Sequence, residues 1–150
     1  MSLLVYGINH RTAPLQLREK IAFGESEQPQ SIQNLLSDNS SVKECFIVST
    51  CNRTEIYCSI ESGNSENIKH WLTNEKPVSN EELLNCSYEY WDSDAVSHMS
   101  KVACGLDSMA VGEPQIMGQV KRSIEIANQC SSIGEALDLA IGAAISAAKE

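Results

Sequence analysis

The sequence has no run of eighteen apolar residues, and only 4 Pro and 8 Gly among 150 residues. The first absence excludes a membrane-spanning helix, and the second argues against a collagen-like or low-complexity chain. No basic leader precedes the first apolar segment, Met1-Ser2-Leu3-Leu4-Val5-Tyr6-Gly7, so secretory and lipid-anchored readings are set aside and a cytoplasmic location is expected. There is no Cys-x-x-Cys, and no His stands at ligand spacing from the cysteines at 45, 51, 58, 86, 104 and 130, which excludes a structural zinc site. In a reducing compartment these six are free thiols, and any function they carry is nucleophilic. Neither a P-loop nor a Gly-x-Gly-x-x-Gly following a strand occurs, so no nucleotide fingerprint is present.

What is there describes one ordinary globular domain. The chain is 42% hydrophobic and 21% charged, and 150 residues bury roughly two thirds of the surface that the unfolded chain exposes. The net charge of −9 ordinarily counts against a nucleic-acid partner. The charge is uneven, however: residues 61–100 hold eight acids against two bases, while the rest is only mildly acidic. Arg11, Arg18, Lys20, Arg53, Lys101, Lys121 and Arg122 either converge into one basic face or are scattered solvated charges, and composition favours the latter.

Apolar periodicity gives the elements. Leu3 to Ile8 reads as a strand, stopped by the polar loop Asn9-His10-Arg11-Thr12-Ala13-Pro14, with a helix after Pro14 and a second one carrying Ile32, Leu35 and Leu36. Cys45 to Val48 and Thr54 to Ile60 read as strands around the turn Ser49 to Arg53. A helix over 65–74, a helical turn near Glu81 and an aromatic strand Tyr88 to Trp91 follow. The order predicts an α+β fold, a small, largely antiparallel sheet of split βαβ (ferredoxin-like) type with packed helices, then a helical C-terminal segment. In that segment one helix carries Ala95, Met99, Val102 and Leu106, a second starts near Gly112-Glu113-Pro114, and a third runs from Gly134. The last is apolar on nearly every face and ends at Lys149-Glu150 without a closing residue, as a segment of a longer connecting helix would.

Five of the cysteines read as packing residues, because free Cys is among the most buried residue types. Cys51 differs. It sits in the polar turn Ser49-Thr50-Cys51-Asn52-Arg53-Thr54-Glu55, where exposure is expected and Arg53 favours the thiolate. Packing and nucleophilic roles stand about even for it on these grounds alone. His98 lies at the border of the apolar stripe of its helix and could reach into a cleft; His10 lies in a loop, and His70 reads as a surface residue. The glycine-bracketed segment Gly105 to Gln115 is either a plain connection or a helix start able to meet an anion.

Together, Gly7-Ile8-Asn9-His10-Arg11-Thr12-Ala13-Pro14, Ser49-Thr50-Cys51-Asn52-Arg53-Thr54-Glu55, and Gly105-Leu106-Asp107-Ser108 with Val111 through Lys121 resemble the N-terminal catalytic domain of the glutamyl-tRNA reductase family. The resemblance implies NADPH-dependent reduction of glutamyl-tRNA to glutamate-1-semialdehyde through an enzyme thioester, in tetrapyrrole (porphyrin, haem) biosynthesis. It places the nucleophile on Cys51 and the active-site histidine on His98, with Thr50, Arg53, Ser108 and Gln115 holding the glutamyl group. It also implies that residues 1–150 are the catalytic domain alone, including the start of a connecting helix near 134–150. NADPH would be bound by a domain absent from this chain, and a dimerisation domain would make the whole protein a homodimer. A downstream aminomutase would receive the semialdehyde. Two other classes fit the residues without the resemblance: a small-ligand regulatory or interaction module, and a stand-alone cysteine hydrolase.

Overall fold

The structure, a computed structural model, describes residues 1–105 and 116–148. Four strands, β1 (Ser2–Asn9), β2 (Val42–Ser49), β3 (Arg53–Ile60) and β4 (Tyr88–Trp91), form one sheet in the order β2-β3-β1-β4. Every neighbouring pair is antiparallel, so β1 and β2 run parallel with β3 inserted between them, the split βαβ arrangement that the element order predicts. The helices are α1 (Leu15–Ile21), α2 (Gln28–Asp38), α3 (Glu66–Glu75), α4 (Asn80–Cys86), α5 (Ser93–Ala103), α6 (Ile116–Gln129) and α7 (Glu135–Ala148).

Strand alternation divides the sheet into two faces. Leu4, Tyr6, Ile8, Ile56, Cys58 and Ile60 point one way, toward the layer of α1 to α4. There the Tyr6 hydroxyl donates to Ser87 Oγ at the end of α4 (2.9 Å), and Phe23, just past α1, donates its N–H to Ser49 Oγ (2.9 Å). Ser79 closes the start of α4 with a capping box shared with Glu82, as an Ser-x-x-Glu sequence does. The opposite face carries Gly7, Glu44, Phe46, Arg53, Glu55 and Tyr57 and is covered by α5 and α7. Glu44 fixes α7 there, since its Oε1 accepts from the N–H groups of Gly134 (2.6 Å) and Leu137 (3.0 Å) at that helix's start. With helices on both sides, all eight residues of β3 are buried.

The β2 edge meets the α6–α7 connection at Cys45. Cys45 N–H donates to Ser132 O (2.9 Å) and Ser132 Oγ donates to Cys45 O (2.7 Å), which covers the middle of this edge. The start of α6 falls at Ile116 among the described residues; the expected start near Gly112-Glu113-Pro114 lies outside them. The long apolar segment after Gly134 is α7, which turns Leu137, Ala140, Ile141 and Ala144 inward and leaves Leu139 exposed.

Several acidic groups are held neutral in this interior. Burial pushes Tyr6 up to about 12, and burial with the neighbouring Cys130 pushes Cys45 up to about 12; Cys58 and Tyr57 are raised as well, burial again being the first cause. Because the folded values exceed the unfolded ones, the folded state holds more protons at alkaline pH. The associated stability is complete below the unfolded thiol value of ~8.5 and is lost as pH rises beyond it. The urea midpoint is therefore expected to fall steadily between about pH 9 and 11. A midpoint constant over that range would contradict the placement of these side chains.

Candidate active site

Thr50, Cys51 and Arg53 lie at the end of the sheet where β2 turns into β3, and His98 is joined to β3 further along, at Glu55. Thr50, Cys51 and Asn52 form the hairpin tip, closed by Thr50 N–H donating to Arg53 O (2.8 Å) and Asn52 N–H donating to Thr50 Oγ1 (3.2 Å). The tip is too short to fold its side chains back on the sheet, and Cys51 is exposed. Arg18 of α1 reaches over it, Nη1 donating to the Cys51 carbonyl at 3.4 Å. The other cysteines divide differently: Cys45 and Cys58 are fully buried cross-strand partners, and Cys86, Cys104 and Cys130 are half-buried.

Arg53 departs from what its place in a polar turn suggests. As the first residue of a central strand it is 1% exposed, and its Nη1 lies 3.5 Å from Glu55 Oε2. Glu55 is the hub of the site. It sits two residues deeper, about 7 Å at the strand rise, on the same face of β3. Oε1 accepts from the Tyr57 hydroxyl (2.6 Å), and Oε2 accepts from the Tyr88 hydroxyl and from His98 Nε2. Burial by itself would raise the pKa of this carboxyl, but the hydrogen bond and charge of His98, the Arg53 guanidinium and the Tyr57 hydroxyl outweigh it and hold the value below the usual carboxylate range. A buried carboxylate with three hydrogen-bond donors and a guanidinium beside it is a satisfied one.

His98 reaches this cluster from α5, 6% exposed, with its ring stacked on Tyr90 (centroids 4.5 Å apart, 20° between planes) and tilted against Tyr88. It is thus further inside than the border of the helical stripe implies. Nε2 is committed to Glu55, so Nδ1 is the ring nitrogen left for a second partner. Gly7 of β1, opposite Glu55 in register, completes the cluster by having no side chain. A Cβ there would stand 2.5 Å from Thr54 O and 2.8 Å from Glu55 Cγ, in the space the Glu55 side chain crosses.

The loop after β1 lies beside the hairpin, because Asn9 pairs with Arg53. It is tied by reciprocal bonds: Asn9 N–H donates to Thr12 Oγ1 (3.0 Å), while Arg11 and Thr12 N–H donate to Asn9 Oδ1 (2.9 and 3.2 Å). Arg11 and His98 both line a cleft of about 500 Å³. Ser108 and Gln115 lie outside the described residues. Of the basic residues, Lys20 pairs with Glu82, Arg122 with Glu25 and Glu125, Arg53 is internal, and Arg11 and Lys101 line one cleft. His70 is on the surface of α3 against Asn74. Among the described residues no group of His, Cys, Asp or Glu is arranged to hold a metal, and no described helix is long and apolar enough to cross a membrane.

Fold and site together define a split βαβ domain with one exposed thiol on the hairpin that enters a strand carrying a buried guanidinium and carboxylate, the carboxylate bonded to a buried imidazole. The family described as glutamyl-tRNAGlu reductase, N-terminal domain, matches residues 6–150. The chain belongs to that family. Over its whole length it is 41% identical to the glutamyl-tRNA reductase of Pseudoalteromonas translucida (strain TAC 125) and 43% identical to that of Shewanella amazonensis (strain ATCC BAA-1098 / SB2B), matching 36% and 35% of those proteins. The solved glutamyl-tRNA reductase from Methanopyrus kandleri superposes with a TM-score of 0.80 at 26% identity, over 98% of this chain and 33% of the other. The chain therefore spans about a third of the length of the relatives it matches.

Proposed function

We propose that this chain performs the acyl-transfer half of glutamyl-tRNA reduction, with Cys51 as the nucleophile. The observation that carries the reading is the position of Cys51, exposed at a hairpin tip whose next strand residues, Arg53 and Glu55, tie the turn to His98. The Cys51 thiolate attacks the carbonyl of the aminoacyl ester. A carbon–sulfur bond forms, the carbon–oxygen bond to the ribose breaks, and the RNA leaves with its hydroxyl restored by one proton. His98 Nδ1 supplies that proton or positions the ester; its Nε2 is occupied by Glu55 in either role.

Arg53 holds the side-chain carboxylate of the glutamyl group. Its guanidinium, 3.5 Å from Glu55 Oε2 at Nη1, is a planar fork whose geometry matches a carboxylate. Thr50, Ser108 and Gln115 complete the pocket for the glutamyl group. The thioester is then reduced to glutamate-1-semialdehyde, in the route to tetrapyrroles. This chain has no dinucleotide fingerprint; the cofactor is held by a domain outside residues 1–150, where the dimer contacts also lie. The product passes to an aminomutase in the cytoplasm.

The test is turnover by the full-length protein: NADPH oxidation dependent on glutamyl-tRNA, with an aldehyde product. Hydrolysis of the ester with no NADPH consumed would replace the reductase reading with a thiol hydrolase. Arg53→Lys keeps the charge but loses the fork, and is expected to reduce the preference for glutamyl over glutaminyl substrate by roughly tenfold or more. An unchanged preference in a folded variant would remove Arg53 from the recognition of the carboxylate.

A further inference from the structure

Three thiols that acyl transfer does not use lie close together at β2: Cys45, Cys58 and Cys130. Cys45 and Cys58 stand directly opposite each other in the β2–β3 register, and both are fully buried. Thr50 N–H donating to Arg53 O makes those two a hydrogen-bonded pair, and counting back along the ladder makes Val48–Glu55 and Phe46–Tyr57 bonded pairs as well. Cys45 and Cys58 fall between bonded pairs, which is why the Cys45 N–H and C=O turn outward to Ser132. In such a pair the Cα atoms are about 4.5 Å apart with both side chains on one face, inside the ~4.4–6.8 Å that a disulfide spans.

Cys130 follows α6, two residues before the Ser132 that holds Cys45, and after burial it is the neighbour that raises the Cys45 thiol. It is half-buried, and it lines a cavity of about 500 Å³ with Pro29, Ile32 and Leu36 of α2, so a small solute reaches it. The thiols thus lead inward from a surface cavity to the central strand β3. Burial divides their roles. Cys45 is pushed up to about 12 and Cys58 is raised as well, so neither presents a thiolate to a solute, and each meets only a sulfur already oxidised beside it. Cys51 is six residues further along from Cys45, ~20 Å at the strand rise, a distance no disulfide bridges.

We propose that Cys130, Cys45 and Cys58 form an oxidation site, in which a peroxide met by Cys130 ends as a disulfide between Cys45 and Cys58. The Cys130 sulfur attacks one peroxide oxygen; a sulfur–oxygen bond forms, the oxygen–oxygen bond breaks, and Cys130 becomes a sulfenic acid as water leaves. The Cys45 sulfur attacks that of Cys130, and the hydroxyl departs as a second water with the Cys45 proton. The Cys58 sulfur then attacks Cys45, its proton passes to the Cys130 sulfur, and Cys130 is a thiol again. In sum two thiols lose two electrons and two protons, and one hydrogen peroxide becomes two waters. The final bond closes residues 45–58 into a loop that contains Thr50, Cys51, Arg53 and Glu55, so oxidation clamps the two strands that carry the proposed site.

The experiment treats full-length protein with a slight excess of hydrogen peroxide, blocks the remaining thiols with iodoacetamide, digests without reduction and maps the linked peptides by mass spectrometry. A Cys45–Cys58 link is expected in wild type, reversed by dithiothreitol, and Cys130→Ser should slow its formation roughly tenfold or more. Cys58→Ala should stop the sequence one step earlier, at a Cys45–Cys130 link, and Cys45→Ala should leave a Cys130 sulfenic acid that dimedone captures. Amide hydrogen exchange along Thr54 to Cys58 should slow in the oxidised protein and recover on reduction. No Cys45–Cys58 link in wild type, the same link formed at the wild-type rate in Cys130→Ser, or a link from Cys51 to any of the three would overturn the proposal; unchanged exchange in protein that carries the bond would overturn the clamp. Wild type and Cys130→Ser decide the matter even if the variants of the two buried cysteines do not fold. None of these readouts depends on acyl transfer, so the oxidation site and the proposed function stand or fall separately.

Discussion

Replacing Cys51 by Ser is expected to lower glutamyl-tRNA turnover by roughly 10⁴-fold or more while leaving the fold unchanged. The two halves of this expectation have separate causes. Cys51 is exposed at a turn whose closure depends on backbone groups and Thr50 Oγ1, so exchanging one small side chain for another removes no packing and no hydrogen bond that holds the hairpin. Chemically, a serine hydroxyl is a far weaker nucleophile at neutral pH than a thiol with even a small thiolate fraction, and His98 cannot activate it through Nε2, which faces Glu55. Turnover in the full-length variant, compared with its circular dichroism and urea midpoint, checks both halves. Retention of more than a tenth of wild-type turnover would show that the sulfur is not the attacking atom.

The second large effect belongs to Glu55 and is one of stability first. Glu55→Ala would remove a carboxylate from beside Arg53, which is 1% exposed, and remove the acceptor that the Tyr57 and Tyr88 hydroxyls share. Removing one member of a buried ion pair costs about 3–5 kcal/mol, a large share of the ~5–15 kcal/mol that holds an ordinary domain together. Glu55→Gln keeps the size and one acceptor and is expected to lose less stability, yet it frees the Arg53 and His98 side chains to shift, so turnover should drop more than folding does.

The pH dependence separates the two variants further. The folded pKa of Glu55 lies below its unfolded value of ~4.3, so the unfolded chain binds more protons there, and the wild-type contribution is present above that value and lost as pH falls through the folded one. Urea midpoints at descending pH should therefore fall more steeply in wild type than in Glu55→Gln. Parallel curves would mean that the carboxylate is not held ionised by its neighbours.

Much of the fold was legible because its elements obey simple periods. β1 and β3 alternate or run apolar between polar turns, α5 and α6 keep their apolar stripes, and a β-helix-β, β-helix-β order has few compact solutions. Cys51 was legible for a related reason: a polar turn between two β-rich runs leaves a hairpin tip, Thr50 to Asn52, on which Cys51 is exposed. The role of Glu55 was not. Local sequence presents Arg53, Glu55 and Tyr57 as an alternating, half-polar strand face, which ordinarily points to water. That face is buried by α5 and α7, elements that arrive 40 to 90 residues later, and the buried charge becomes tolerable only when Tyr88 and His98 arrive with them. The signal that existed was the Arg-x-Glu-x-Tyr spacing, which puts a cation, an anion and a hydroxyl on one side of a strand. It points to a hub only once a covering layer is assumed. Arg53 shifts meaning for the same reason, from a solvated neighbour of the thiol to an internal fork held from below.

The most direct measurement of the central claim is to place the acyl group. Full-length protein is incubated with glutamyl-tRNA in the absence of NADPH, quenched in acid, digested and analysed by mass spectrometry. The account predicts a glutamyl thioester on the peptide that carries Cys51, released by hydroxylamine and absent from the peptides of Cys45, Cys58, Cys86, Cys104 and Cys130. An adduct on any of those five, or the same adduct formed by Cys51→Ser, would contradict it.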